Sequence, residues 1–224
     1  DLECLFSRID YLTSYFIIGG EPLLNTNLDL ILRSVYDKFK DRIGYIQIIS
    51  NGSIVPSEKL LKVIKECYIK VRLSDYTHVI PYDKKLQEVK DTLALNGIDY
   101  SMGIYTEWMD LGFPEKVEPI GKTVEEAKCH MLNCSQGCHI VNDKKFYYCG
   151  LVFSAEKCGL YKLKEGDFID LSKSSGNILE DKKEVMRYCL GDIDKGYISI
   201  CNICRGAGSD NDRVIGVAEQ MKRN

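Results

Sequence analysis

Tyr15-Phe16-Ile17-Ile18-Gly19-Gly20-Glu21-Pro22-Leu23-Leu24 sets a β-type run directly against a glycine turn. The four aromatic and β-branched residues read as a buried strand, and the two glycines stop it. From Asn27 the apolar positions Leu28, Ile31, Leu32, Val35, Tyr36 and Phe39 recur at helical spacing. Asn27 can cap the start of that helix, and Gly44 ends it. Tyr45-Ile46-Gln47-Ile48-Ile49 is the next strand, closed by Ser50-Asn51-Gly52, and Ser57 opens a helix carrying Leu60, Leu61 and Ile64. Residues 69–73 alternate like a further strand. Leu86, Val89 and Leu93 mark a third helix that ends at Asn96-Gly97, and Asp99 to Tyr105 supplies one more strand. Upstream, Leu2, Leu5, Ile9 and Leu12 fit a helical face. Strands alternating with helices over short connections imply an α/β fold built from right-handed βαβ units around a parallel sheet. Four strands and three complete helices are too few for a closed eight-stranded barrel. They suffice for half of one or for a small open sheet.

The alternation breaks between Tyr105 and Lys128, where Pro114 and Pro119 fall, so the expected domains are 1–121 and 122–224. The second is chemically different. Of ten cysteines only Cys4 and Cys67 precede residue 128, and the rest crowd the second domain. The large Cys-poor half needs no staples, so this asymmetry points to thiolates held by a metal or cluster in a reducing compartment rather than to disulfides. No secretory signal is visible, which makes the expected location cytoplasmic. Lys145-Phe146-Tyr147-Tyr148-Cys149 reads as a hairpin strand after Asn142-Asp143, and Ile178 to Leu190 as a helix. With 30 basic and 33 acidic side chains the chain has no global field to attract nucleic acid or an anionic membrane. Its apolar runs fall far short of the ~20 residues that span a bilayer.

Three groups sit at strand ends, where parallel α/β sheets place ligand contacts. Gly19-Gly20-Glu21 lets backbone approach a ligand and offers a carboxylate to an amino group, or else forms a tight turn with a solvated acid. Ser50-Asn51-Gly52 offers hydroxyl and amide groups to ribose or carboxylate, or is an ordinary Asn-Gly turn. Arg72 and Ser74 could hold a carboxylate, or Arg72 could pair with Asp75 at the surface. In the second domain Cys129-x4-Cys134-x3-Cys138-x10-Cys149 and Cys201-x2-Cys204 are two groups of soft ligands that a compact module could unite. Four thiolates make either a tetrahedral zinc site or a 4Fe-4S site. Cys4, Cys67, Cys158 and Cys189 are expected as small buried hydrophobes.

Together the three strand-end groups resemble the radical S-adenosylmethionine superfamily, which carries Gly-Gly-Glu-Pro after one strand and an Asn-Gly turn after the next. The resemblance covers about residues 1–105 and implies a partial (βα) TIM-type barrel with parallel strands. It places Gly19, Gly20 and Glu21 along the methionine moiety of S-adenosylmethionine, Ser50 and Asn51 near its ribose, and Arg72 or Ser74 near its carboxylate. The family's C-x3-C-x2-C loop, which holds the cofactor-cleaving cluster, is not in these 224 residues. The resemblance implies that the loop precedes Asp1 in the intact protein and that the chain alone is inert. The Cys-rich part looks like the SPASM or twitch-type extension of such enzymes, a small α+β domain binding auxiliary 4Fe-4S clusters. One auxiliary cluster is expected here, on Cys129, Cys138, Cys149 and Cys204, with Cys134 and Cys201 as competitors. The implied activity is hydrogen abstraction from a peptide, carbohydrate or small metabolite, with flavodoxin or ferredoxin as reductant. The alternative is a non-catalytic zinc module on a degenerate barrel.

Overall fold

A computed structural model of the chain describes residues 1–112, 122–135, 137–208 and 211–217. Pro114 and Pro119 lie outside the described residues. The fold is mixed α/β, with a four-stranded parallel sheet and, among the described residues, seven α-helices. The chain divides into two compact units: Tyr11–Trp108 with the last residues from Gly216, and Asp1–Asp10 with Met109–Ile215. Two short strands, β5 (Glu107–Met109) and β9 (Val214–Gly216), lie at the limits of the units. Among the described residues no helix is long and apolar enough to cross a membrane.

In the first unit β1 (Tyr15–Ile17), β2 (Ile46–Ser50), β3 (Lys70–Asp75) and β4 (Tyr100–Ile104) pair in that order, all parallel. Helices α2 (Leu28–Phe39), α3 (Glu58–Glu66) and α4 (Asp83–Leu95) make the crossovers. Right-handed crossovers between sequential neighbours put every helix on the same face of the sheet. The burial pattern agrees. Ile46, Ile48, Val71 and Leu73 share one face of the sheet and are buried, as are Leu32, Leu60, Ile64, Val89 and Leu93 of the helices. Their alternate neighbours Gln47, Ile49 and Arg72 are only half-buried within the unit. The Ser57 hydroxyl accepts from Leu60 N at 3.3 Å and caps α3, as its position before the apolar run implies.

The second unit packs α1 (Leu2–Phe6), α5 (Val124–Asn133), α6 (Gly150–Lys157) and α7 (Ile178–Cys189) with an antiparallel sheet ordered β6-β7-β8. Its strands are Ile140–Asn142, Lys145–Tyr147 and Phe168–Asp170. The hairpin between the first two turns at Asp143 and Lys144, both at positive φ, the two-residue turn whose twist matches antiparallel strands. The first ten residues clasp this unit. Asp1 Oδ1 accepts from Lys144 N at 2.9 Å, and the buried Arg8 donates to Glu184 Oε2 at 2.8 Å. The expected N-terminal helical face therefore stops at Phe6 and does not continue to Leu12, which instead bridges Ile43.

Asp181, at the start of α7, accepts from the Ser174 hydroxyl at 2.6 Å and from Ser175 N at 2.8 Å. These bonds, the Ser174 one foremost, hold its carboxyl at about 2. An acid whose folded pKa is depressed stabilises the fold above its unfolded value of about 4 and loses that contribution as the pH falls. The urea midpoint of the parent should therefore exceed that of Asp181→Asn at pH 5, and the gap should close as the pH falls through about 2. A gap independent of pH would contradict the assignment.

Candidate functional site

The cysteines of the second unit come together through three local structures. Helix α5 begins with a capping box: Thr123 accepts from Glu126 N at 3.2 Å, and Glu126 accepts from Thr123 N at 2.7 Å. Its apolar face, Ala127 and Met131, is buried, and at its far end the chain turns extended at Cys134. The β6–β7 hairpin delivers Cys149, which sits at the N-terminus of α6. A 3-10 turn, Ser199–Asn202, carries Cys201, and Cys204 follows. Ser135 N donates to Ala207 O at 3.2 Å and joins the end of α5 to that last loop.

Asp167, with no exposed surface, holds the loop from the other side. It accepts from Ser199 N at 2.8 Å while also taking the Tyr161 hydroxyl and Lys164 N, each at 2.7 Å. Beyond Cys204, Gly206 lies at a φ of +76° and its N–H donates to Cys204 Sγ at 3.1 Å. A Cβ there would meet the His130 ring at 2.4 Å, so both the backbone and the packing require glycine.

These pieces enclose a cavity of about 170 Å³ lined by Cys134, Cys149, Cys201 and Cys204, with Cys189, His130, His139 and Tyr148 completing its polar wall. All ten cysteines are free thiols. Burial pushes the Cys201 thiol far up, and the neighbouring Cys149, Cys204 and Cys134 thiols push it further. Burial likewise raises Cys204 to about 11, against the Gly206 N–H, with Cys149 and Cys134 adding to the rise. Cys149 is raised by burial and drawn back by the Val152 and Leu151 N–H groups at its helix N-terminus. Grouped thiols that resist ionisation one beside another are reversed by a cation, which releases their protons and binds the thiolates. Burial also lowers the pKa of His139, whose Nδ1 lies 2.7 Å from the carbonyl of Tyr148.

A tetrahedral zinc site, at about 2.3 Å from metal to sulfur, draws its ligands into a tight knot. Among the described residues no three His, Cys, Asp or Glu side chains converge in that way. Cys134, Cys149, Cys201 and Cys204 line the cavity without closing into such a knot. Cys129 and Cys138 are exposed and are not among the residues lining the cavity; Cys129 Sγ accepts from Asn133 Nδ2 at 3.2 Å. Of the four cysteines expected as hydrophobes only Cys67 is buried. Cys158 is exposed, Cys4 is half-buried, and Cys189 faces the cavity.

In the first unit Glu21, Ser50 and Asn51 meet as one hydrogen-bonded group at the strand ends. Glu21 Oε1 accepts from Leu23 N at 3.0 Å and the Ser50 hydroxyl at 2.9 Å, while Oε2 accepts from Asn51 N at 2.8 Å. Three donors leave a carboxylate with room for about one more. Gly19 and Gly20 precede it, exposed and with no protein atom within 4 Å of a Cβ placed on either. Arg72 and Ser74 lie on the opposite face of β3 from Leu73, the register partner of Ser50. Arg72 donates to the Tyr105 hydroxyl at 2.5 Å instead of pairing with Asp75. Trp108, which the sequence offers either as a cavity wall or as packing, clusters beside it with Tyr76 and Tyr105, which sequence reasoning missed; the ring centroids lie near 6 Å.

No protein-family model matches this sequence, and comparison with curated proteins gives no match either.

Glu21→Gln would set an amide against the Asn51 or Ser50 donor and should cost about 1–3 kcal/mol of stability in chemical denaturation. An unchanged midpoint would show that the carboxylate does not bridge the two strand ends.

Proposed function

We propose that this chain is part of a radical S-adenosylmethionine enzyme in which the Cys-rich unit holds an auxiliary 4Fe-4S cluster on Cys134, Cys149, Cys201 and Cys204. The observation that carries this reading is the cavity itself, which is lined by four cysteines from three separated segments. Four thiolates are the ligand complement of such a cluster. In the other unit, the sequential parallel order and the helices on one face support a partial TIM-type barrel. There the Gly19-Gly20 turn and the remaining acceptor site on Glu21 would take the methionine end of S-adenosylmethionine. Ser50 and Asn51 would border the ribose, and Arg72 or Ser74 the carboxylate. The bound cofactor, cleaved reductively, supplies hydrogen-atom abstraction from substrate. A small electron carrier such as flavodoxin or ferredoxin, a cytoplasmic location, and a peptide, carbohydrate or small-metabolite substrate complete the reading.

Anaerobic loading followed by iron and sulfide assay tests it. The chain should turn brown and retain about four of each per molecule. Cys134→Ala and Cys201→Ala should lose most of that iron, whereas Cys129→Ala and Cys138→Ala should keep it. A colourless zinc protein, or full retention of iron by Cys201→Ala, would overturn the assignment.

A further inference from the structure

We infer that Lys122 is the positioning residue of this thiol site, clamping the Cys201–Cys204 loop and supplying a fixed positive charge beside it. The inference rests on the reading that the cavity holds a metal. It does not depend on which metal.

The loop contributes two of the four sulfurs from positions only three apart, so its curvature decides whether both reach the same body. Lys122 Nζ donates to the carbonyl oxygens of Cys201 at 3.3 Å and Cys204 at 3.2 Å. Two carbonyls converging on one ammonium fix that curvature, and the bonds are charge-assisted. Those two bonds hold the ammonium beside the two residues that carry the sulfurs. Four thiolates around either a 4Fe-4S core or a zinc ion leave a net negative charge in a largely buried site. A nearby cation offsets part of the cost of holding that charge out of water.

The lysine is itself placed by a rigid element. It stands immediately before Thr123, whose capping box with Glu126 starts α5, and the other end of the same helix delivers Cys134. One helix of ten residues thus sets a ligand at its C-terminal end and the clamp on two further ligands at its start. The buried Met131 between them accepts from Ile198 N at 3.4 Å, just ahead of the 3-10 turn that carries Cys201.

The test compares Lys122→Met, Lys122→Gln and Lys122→Arg with the parent. It reads the rate at which a strong chelator removes metal, the reduction potential of the loaded cluster by EPR-monitored titration, and the thermal midpoint of each metal-free protein. Lys122→Met should lose metal at least about ten times faster, in line with the usual effect of groups that orient metal ligands. Lys122→Arg should stay near the parent. Reduction adds negative charge, so Lys122→Met and Lys122→Gln should both show a more negative potential, with metal-free midpoints close to that of the parent. Should Lys122→Met fail to fold, Lys122→Gln carries the comparison. Equal lability and equal potential in the variants and the parent would overturn the inference. If the parent holds zinc, the cluster reading falls alone, because the chelator rates still judge the clamp. If the parent holds no metal, both fall.

Discussion

The bond from Ser135 N to Ala207 O, at 3.2 Å, joins segments 72 residues apart and brings the two groups of cysteines to one place. Closing so long a loop costs entropy that grows only slowly with its length. The buried Met131, Ile198 and Ile200 offset that cost at the same junction. Asp167 and Lys122 then hold the Cys201 turn from two sides. None of these contacts requires metal, so the thiols stand arranged around their cavity in the folded chain. Burial, and then the neighbouring thiols, favour the protonated form of Cys201 and Cys204, so any cation bound there would have to displace their protons.

The sheet unit follows a different logic. Its helices cover one face and its chemistry gathers at the strand ends, where Glu21 ties the loop after β1 to the end of β2. Gly52, at a φ of +68° and with Leu86 pressed against it, lets the backbone turn away immediately after that bond. The carboxylate is therefore a structural bridge as well as a candidate ligand group, and the exposed Gly19-Gly20 backbone beside it is where a bound molecule could approach closely.

The alternation of strands and helices in the first hundred residues was legible because each element there carries a strong period. The helix phases at Leu28, Leu32 and Val35 and at Leu86, Val89 and Leu93 match the buried faces. The cysteines that line the cavity were less legible because spacing alone ignores helical phase. Cys129 lies on α5, two residues past the buried Ala127, and so turns away from the face that Ala127, His130 and Met131 present to the core. The Thr123-x-x-Glu126 capping box was the signal that this segment is helical, and it would have pointed to Cys134, just past the helix end, over Cys129. The grouping of Asp1–Asp10 with the second unit had no local signature. It rests on long-range bonds such as that from Arg8 to Glu184, which no window of sequence displays.

The most direct measurement of the central claim is a crystal structure of the anaerobically loaded chain with anomalous diffraction collected at the iron edge. The account predicts one strong peak inside the cavity, bonded to the sulfurs of Cys134, Cys149, Cys201 and Cys204. A peak held by Cys129 or Cys138, or a cavity without iron beside a protein that binds it elsewhere, would contradict it.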